Sequence, residues 1–178
     1  GVLLVEGGRH LVIAPTEGTG KKWSSKPVSP SDTSGSVQIS GVTTTGDRMT
    51  ALNDFAGRAN TTAIINGSTS SNVTNTEAYA AGFCNKYARV NANGKGLTAG
   101  RWWLPSLAEL AMIWANFDKI NYALSKISGA TQLQSTWYWS STQGSAAHAL
   151  GLGLNGGYVG YDYKFTQAGV RPVSAFLY

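Results

Sequence analysis

The chain has 178 residues, of which 42% are hydrophobic and only 13% are charged; one hydrophobic core is expected at this length, and we interpret residues 1–178 as a single domain. The formal net charge is +5, but the basic residues are scattered along the chain, which argues against a nucleic-acid partner because nucleic-acid-binding surfaces cluster their positive charge. No stretch is apolar for long enough to cross a membrane, so membrane insertion is not expected.

The N-terminal part, residues 1–54, is predicted to hold strands and long loops. Residues 2–5 and 10–14 are apolar runs typical of strands. Residues 16–46 are rich in Ser, Thr, Gly and Pro, and we expect a long loop there with a short strand at residues 36–39.

The middle of the chain is predicted to be helical. Residues 49–55 and 61–65 each have the length of a short helix, and residues 75–89 are predicted to form a longer one. The apolar face of this longer helix carries three aromatic residues at a spacing of four, namely Tyr79, Phe83 and Tyr87.

The second main helix has the clearest start signal in the sequence. Ser106 and Glu109 fit a capping box. The Ser106 side chain accepts from a backbone N–H of the first turn, and the Glu109 side chain reaches back to the backbone N–H of Ser106. The next apolar residues recur at three- and four-residue spacing on one face, namely Leu107, Leu110, Trp114 and Phe117. Asp118 is predicted to cap a further helix over residues 119–127, which Gly129 ends.

The C-terminal third is predicted to be antiparallel β structure. Residues 137–139 are predicted to point alternately to the two sides of a strand. In residues 150–154 leucine alternates with glycine, which is the period of a half-buried strand. Residues 155–157, Asn-Gly-Gly, are a turn signal, and we expect returning strands at residues 158–165 and 169–176. The fold class is therefore α+β, with two main helices before a C-terminal antiparallel β region.

The sequence offers little for catalysis. Cys84 is the only cysteine, so no intrachain disulfide forms, and a buried structural thiol is the interpretation of its apolar surroundings. No phosphate-binding loop, nucleophile elbow or defensible pair of carboxylates is present. We therefore predict no catalytic residues, no metal site and no cofactor; calcium stays open, although no dense group of acidic and amide side chains supports it.

Several blocks of the chain resemble one family. They are residues 59–65, 80–87, 103–106 with 109–110, 120–121 with 123–124, 138–142, 155–157 and 170–176. In these blocks the chain resembles the C-type-lectin-like variable proteins of diversity-generating retroelements, which occur at the C-termini of phage tail and bacterial surface proteins. It is also similar to the related C-terminal domains of collagen-like bacterial adhesins. The resemblance covers roughly residues 55–178 and implies a C-type-lectin-like fold.

The resemblance also implies a hypervariable cassette, with its scaffold strands, at residues 135–176. In such proteins, mutagenesis at adenines of asparagine codons never yields Trp, Met, Gln, Lys or Glu. Residues 144–163 contain none of these five types, and Gln143 and Lys164 flank the segment. We therefore expect the variable surface at about residues 144–163.

Nine positions are predicted to point out of the sheet or to lie in its loops and to bind the ligand. They are Ser145, His148, Gly151, Gly153, Tyr158, Gly160, Tyr161, Asp162 and Tyr163. Leu152 and Leu154 are expected to face the core. Tyrosines suit a binding surface because each brings a large amphipathic area at low entropic cost. The alternatives are that the three tyrosines are ordinary cross-strand residues, and that His148 is a catalytic base rather than a ligand contact.

The tryptophans are interpreted as packed scaffold that holds the variable loops in place. This set comprises Trp102, Trp103, Trp114, Trp137 and Trp139. Any tryptophan that proves exposed is instead a candidate sugar-stacking platform. Arg171 is expected to pair inside the fold with a carboxylate or with backbone carbonyls.

We therefore predict that the chain is an extracellular, non-enzymatic binding module on a phage tail or a bacterial cell surface. Its partner is expected to be a protein or glycan receptor. A homotrimer is expected by analogy with tail fibres, although no coiled-coil heptads are visible. The chain begins at Gly1 without a methionine, which predicts a fragment of a longer protein.

Two alternatives remain. The first is a bacterial surface adhesin of the same fold that is not diversified and that binds glycans or matrix polyanions. The second is an enzyme, because the formylglycine-generating enzymes share the broad fold. Those enzymes need paired reactive cysteines, and Cys84 stands alone.

Overall fold

A computed structural model describes residues 1–175 of the chain. Within them the elements, in chain order, are β1 (Val2–Glu6), β2 (Arg9–Ile13), β3 (Gly18–Lys21), α1 (Arg48–Ala51), α2 (Gly57–Asn66), α3 (Ala80–Lys86), β4 (Arg89–Val90), β5 (Gly96–Leu97), α4 (Leu107–Ala115), α5 (Phe117–Leu124), β6 (Trp137–Gln143), β7 (His148–Gly153), β8 (Tyr158–Tyr163), β9 (Ala168–Val170) and β10 (Val173–Ser174). The α+β class predicted from the sequence is confirmed. No helix among the described residues has the length and hydrophobicity needed to pass through a membrane.

The largest sheet has five strands in the order β3-β9-β6-β7-β8, so that β8 is an outer strand. Its pairings are antiparallel except between β6 and β9, which run parallel. A second sheet has the order β1-β2-β10, and β4 pairs with β5. The C-terminal region is thus mainly antiparallel, as predicted, with one parallel exception.

Two hydrophobic clusters lie on opposite faces of the five-stranded sheet, because successive residues of a strand point to opposite sides. On one face, Tyr138 and Leu152 pack with Leu110 of α4. On the other face, Trp139 packs with Trp23 and with residues of α2 and α3, including Cys84. The central strands are therefore covered on both sides, and Cys84 is the buried free thiol that was expected.

The blocks that carry the family resemblance meet in the interior. Trp103 and Val173 exchange two backbone hydrogen bonds of 2.8 and 2.9 Å. The hydroxyl of Thr61 accepts from the Leu104 N–H at 3.0 Å. The Ser141 N–H donates to the Pro105 carbonyl at 2.8 Å. These contacts join four sequence blocks into one buried network.

The start of α4 confirms the predicted role of Glu109. Its Oε2 atom accepts hydrogen bonds from the Ser106 backbone N–H at 3.0 Å and from the Trp103 indole at 3.1 Å. Burial raises the pKa of Glu109 to about 7, and the nearby Asp54 adds to the rise. The capping residue is therefore a buried carboxyl whose charge state changes near neutral pH.

The helix predicted at residues 75–89 is shorter and packs differently. It spans Ala80–Lys86 and buries Ala80, Ala81, Gly82 and Cys84, whereas the three predicted aromatic residues are only half-buried. A Cβ atom at Gly82 would collide with the carbonyl oxygen of Thr76. Small residues face the core here because the backbone of the preceding segment comes too close for large ones.

The other predicted helix bounds also shift. The helix at residues 49–55 is the single turn α1, and that at 61–65 is the longer α2. The helix predicted at 119–127 runs from Phe117 to Leu124, so Asp118 is not its cap. Asp118 lies in the first turn, where a negative charge is favourable near the positive end of the helix dipole.

The strand predicted at residues 36–39 does not form. The backbone of Ile39 instead binds the side-chain amide of Gln143: its N–H donates to Oε1 at 3.1 Å, and its carbonyl accepts from Nε2 at 3.3 Å. The Gln143 side chain thus binds the Ile39 backbone as a neighbouring strand would. The residues around Ile39 in the sequence give no sign of this distant partner.

The strand predicted at residues 169–176 is split into β9 and β10, which lie in different sheets. The break falls at Arg171 and Pro172. Proline has no N–H to donate to a ladder, and the Arg171 side chain turns into the interior, where it is fully buried. Phe176, the last residue of the predicted strand, lies outside the described residues.

Candidate ligand-binding surface

The segment 144–163, which contains β7 and β8, is flanked by two residues that bind each other. Lys164 Nζ donates to Gln143 Oε1 at 2.5 Å, and both side chains are buried. Nζ also donates to the Val37 carbonyl at 3.1 Å and lies 4.4 Å from the centre of a Trp23 ring. Burial lowers the pKa of Lys164 to about 7. We call the Gln143–Lys164 pair the clasp, because it closes the base of the β7–β8 hairpin.

Two tyrosines on β8 stand in solvent. Tyr158 is 62% exposed and Tyr161 is 56% exposed. Tyr158 lies opposite Gly153 of β7, whereas Tyr161 lies opposite Leu150, so the two rings leave opposite faces of the sheet. The outer strand therefore presents an aromatic ring on each side.

The first face is built from large rings lying on glycines. The ring centres of Trp137 and Tyr158 are 6.1 Å apart. A Cβ atom at Gly151 would lie 2.7 Å from the Trp137 indole, and one at Gly160 would lie 2.7 Å from the Tyr158 ring. The rings therefore cover the strand backbone, and a larger residue at either glycine would displace them.

This packing corrects three of the predicted variable positions. Gly151, Gly153 and Gly160 are buried rather than displayed. A glycine in a loop-rich segment suggests a permissive position, but here each one makes room for a neighbouring ring or polar side chain.

Arg48 of α1 adds a positive charge to the first face. Its guanidinium carbon lies 5.5 Å from the centre of the Tyr158 ring, and Nη2 donates to the Tyr158 hydroxyl at 3.5 Å. A cation held over a tyrosine ring is attracted by the negative face of the ring. Arg48 is not among the predicted site residues, because no local signal in the sequence links it to Tyr158, 110 positions away.

The second face holds a shallow pocket of about 310 Å³, lined by Gly46, Gly144, Ser145, His148 and Tyr161. The His148 ring lies 5.6 Å from the Tyr161 ring, edge to face, and 4.3 Å from the Tyr163 ring. Ser145 and His148, both half-buried, thus lie at the predicted surface beside an exposed tyrosine.

Ser145 and His148 also contact each other, with 3.1 Å between the serine Oγ and the histidine Nδ1. The same Oγ accepts the backbone N–H groups of Ala147 at 3.2 Å and of His148 at 3.1 Å. Such bonds stabilise a turn, and they account for this serine without a nucleophilic role.

Asp162 and Tyr163 are less available than predicted. Both are half-buried. Asp162 Oδ1 accepts the Tyr163 N–H at 2.7 Å, and the Tyr163 ring stacks on Phe165 with 5.4 Å between centres. Because Asp162 occupies a backbone N–H of the outer strand β8, it reduces the tendency of that strand to pair with a strand of another molecule.

Most of the predicted tryptophan scaffold is buried. Trp102, Trp103 and Trp139 are at most 7% exposed, and Trp137 is half-buried under the first face. Trp114 contradicts the prediction because it is 40% exposed. Its position on α4 follows the apolar spacing, but the helix ends one residue later, at the rim of the core.

Arg171 confirms the predicted pairing. Its Nη2 atom lies 2.6 Å from Glu17 Oε2, and its guanidinium also donates to the carbonyls of Ala14 at 3.0 Å and Thr131 at 3.1 Å. Glu17, which was not predicted as the partner, also accepts from the Tyr138 hydroxyl at 2.5 Å. The ion pair ties the N-terminal segment to β6 and to the chain after β9.

Comparison with known proteins shows a likeness of fold. No protein-family model matches the chain, and no curated protein matches it in sequence. A fimbrial protein from Bacteroides ovatus ATCC 8483, known from a crystal structure at 1.85 Å resolution, is similar in fold, with a TM-score of 0.59 and 19% identity over 94% of this chain. The chain corresponds to 36% of the length of that protein. The likeness is one of fold, and it does not bear on retroelement diversification.

Proposed function

We propose that the chain is a non-enzymatic ligand-binding module of a bacterial surface structure. We further propose that its ligand contacts the hairpin surface, defined as Arg48, Trp137, His148, Tyr158 and Tyr161. The observation that carries the proposal is the pair of tyrosines, each more than half exposed, on an outer strand whose base is fixed by the clasp.

Isolated exposed aromatic residues are common on soluble proteins and need no explanation. The hairpin surface differs because its exposed rings do not stand alone. On one face of the sheet Tyr158 contacts Trp137 and Arg48, and on the opposite face Tyr161 contacts His148. Rigid tyrosine and tryptophan rings lose little entropy on binding, and a preorganised surface loses less still.

The charge of the surface favours a particular ligand class. Arg48 supplies a fixed positive charge, and the formal charge of the whole chain is +5. Aromatic rings stack on flat apolar faces, while the guanidinium pairs with carboxylate or sulfate groups. An acidic glycan or another matrix polyanion therefore fits this surface best.

The fold likeness supports an adhesin more than a phage tail protein. The similar structure is that of a fimbrial protein, which is compatible with a location on the bacterial surface. A C-type-lectin-like fold remains part of the proposal; the buried network that joins the resembling blocks supports it.

Diversification by a retroelement is the second candidate. The clasp favours it, because Gln143 and Lys164 frame the segment that lacks the five residue types and anchor it independently of its content. The three buried glycines count against free variation throughout the segment. Sequencing the encoding locus decides: a neighbouring reverse transcriptase with an adenine-rich near-copy of the cassette supports diversification, and the absence of both removes it.

An array of glycans and sulfated polysaccharides tests the proposed function. The labelled chain is compared with Tyr158→Ala, Tyr161→Ala and the control Tyr122→Ala, which removes a 69% exposed tyrosine on α5. We expect both hairpin variants to lose binding and the control to keep it, with all variants unfolding at similar temperatures. Unchanged binding in both hairpin variants removes this surface from consideration.

A further inference from the structure

Trp114 lies at the rim of the fold in a fixed position. A Cβ atom at Gly157 would lie 2.5 Å from Cη2 of the indole, so the six-membered ring rests directly on the turn between β7 and β8. Gly157 has a φ of 73°, which favours glycine there independently of the indole. One part of the ring is therefore seated on the turn, while 40% of the residue stays exposed.

A pocket of about 430 Å³ adjoins this indole, and its volume lies within the range of ordinary ligand sites. Its lining is Trp114, Ala115, Asn116, Phe117, Asp118, Lys119 and Leu154. The floor is thus aromatic and aliphatic, and the rim carries an amide, a carboxylate and an ammonium group.

The polar rim is partly ordered. The Asn116 amide donates to Glu6 at 2.7 Å and to the Met112 carbonyl at 3.1 Å, and its oxygen accepts from Lys119 Nζ at 3.5 Å. Asp118 is exposed in the first turn of α5. The carboxylate is therefore available as an acceptor, and the ammonium group keeps unused donors.

The charges of the rim select the class of ligand. Asp118 and Lys119 carry opposite charges, and the Glu6 carboxylate that binds Asn116 lies beside them. An anionic ligand attracted by Lys119 is therefore repelled by two carboxylates. A quaternary ammonium is held best by a cage of several aromatic faces, and a docking helix needs an extended apolar groove. A neutral ring with an apolar face and several hydroxyls fits better. Its C–H groups meet the negative face of the indole, and its hydroxyls donate to Asp118 and accept from Lys119.

We propose that this Trp114 pocket binds a neutral sugar ring of a glycan, at a site separate from the hairpin surface. The two sites share no residue, so the inference does not depend on the proposed function. They are neighbours along the chain, because Gly157 under the indole directly precedes Tyr158 of the hairpin surface.

The test is an NMR titration of the indole N–H signals with glucose, galactose, mannose and N-acetylglucosamine. Trp114→Leu keeps an apolar cover on Gly157 but removes the aromatic face, and its spectrum assigns the Trp114 signal. We expect at least one sugar to shift this signal. Because Trp114→Leu lacks the signal, its affinity is read from the backbone N–H signals of residues 115–119, and we expect binding at least about fivefold weaker there and a smaller loss in Asp118→Ala. Tyr122→Ala, which removes an exposed tyrosine outside both sites, is expected to bind as the wild type does.

Three results would overturn the proposal. The first is that none of the four sugars shifts the Trp114 signal at saturating concentration. The second is that binding survives in Trp114→Leu but is lost in Tyr161→Ala, which assigns sugar binding to the hairpin surface. The third is that tetramethylammonium shifts the Trp114 signal and the sugars do not, which makes the pocket a cation site.

Discussion

Lys164 Nζ and Gln143 Oε1 form a buried hydrogen bond of 2.5 Å that joins the two ends of the β7–β8 hairpin. Gln143 also holds the backbone of Ile39, so the same side chain connects the long N-terminal loop to the hairpin. The base of the hairpin surface is therefore fixed by side chains outside the segment that displays it.

Replacing Gln143 with leucine is expected to loosen this base. The change removes the Gln143 bond of the Lys164 ammonium, which keeps the Val37 carbonyl, and leaves the Ile39 backbone without its side-chain partner. Each buried hydrogen bond lost in this way costs about 1–3 kcal/mol. We predict a lower free energy of unfolding in urea and faster amide hydrogen exchange in β7 and β8. Gln38→Leu, the same change at an exposed position, should alter neither quantity. Equal exchange rates in the two variants would contradict the role of the clasp.

Gly157 and Gly156 form a matched pair in one turn. Alanine at Gly157 meets the Trp114 ring and a φ of 73°, whereas alanine at Gly156 has no neighbouring atom within 4 Å. We expect Gly157→Ala to cost about 1–3 kcal/mol and to change the fluorescence of Trp114. Gly156→Ala should be close to neutral in thermal unfolding. The seating of Trp114 on the turn is wrong if the two variants unfold alike.

The burial of Gly151 predicts which hairpin positions tolerate change. A Cβ atom there lies 2.5 Å from the Tyr138 carbonyl oxygen and 2.7 Å from the Trp137 indole. Gly151→Ser should therefore destabilise the fold by about 1–3 kcal/mol, whereas Tyr161→Ser should change stability by less than about 1 kcal/mol. Chemical denaturation of both variants measures the difference, and equal stabilities would restore Gly151 as a free position.

Glu109 makes stability depend on pH below neutrality. Its pKa is raised from 4.5 in the unfolded chain to about 7 in the fold, so the folded state holds the proton more tightly. The associated stability is complete below pH 4.5 and is lost as the pH rises to about 7. We predict that Glu109→Gln flattens this fall, which is on the order of 1–3 kcal/mol.

Urea unfolding between pH 4 and pH 8 measures this effect. Lys164 acts in the opposite direction from about pH 7 upward, because the fall of its pKa from 10.5 to about 7 makes stability rise with pH there. The Glu109 effect is therefore read from the part of this range below pH 7. An unchanged pH slope in Glu109→Gln would mean that another group titrates in this window.

Local signals in the sequence predicted the elements that depend on neighbouring residues. The capping box at Ser106 and Glu109 gave the start of α4, and the alternating leucines gave β7. The Asn-Gly-Gly turn separates β7 from β8 as expected. These features depend on contacts within a few positions, where spacing determines geometry.

What the sequence could not predict depends on contacts between distant positions. The amide of Gln143 replaces a strand partner for Ile39, 104 positions away. The burial of Gly151 is caused by the Trp137 ring rather than by any property of glycine. Trp114 has the spacing of a core residue, yet α4 carries it to the rim. Tertiary packing thus decided which predicted site residues are displayed.

The central claim is that the hairpin surface contacts a cell-surface ligand, and cell binding tests it most directly. Flow cytometry compares the labelled wild-type chain with the Tyr158→Ala, Tyr161→Ala double variant and with Tyr122→Ala on a panel of bacterial and animal cells. We predict that the wild type and Tyr122→Ala stain the same cells and that the double variant, although folded, does not. Equal staining by the double variant and the wild type would contradict the account.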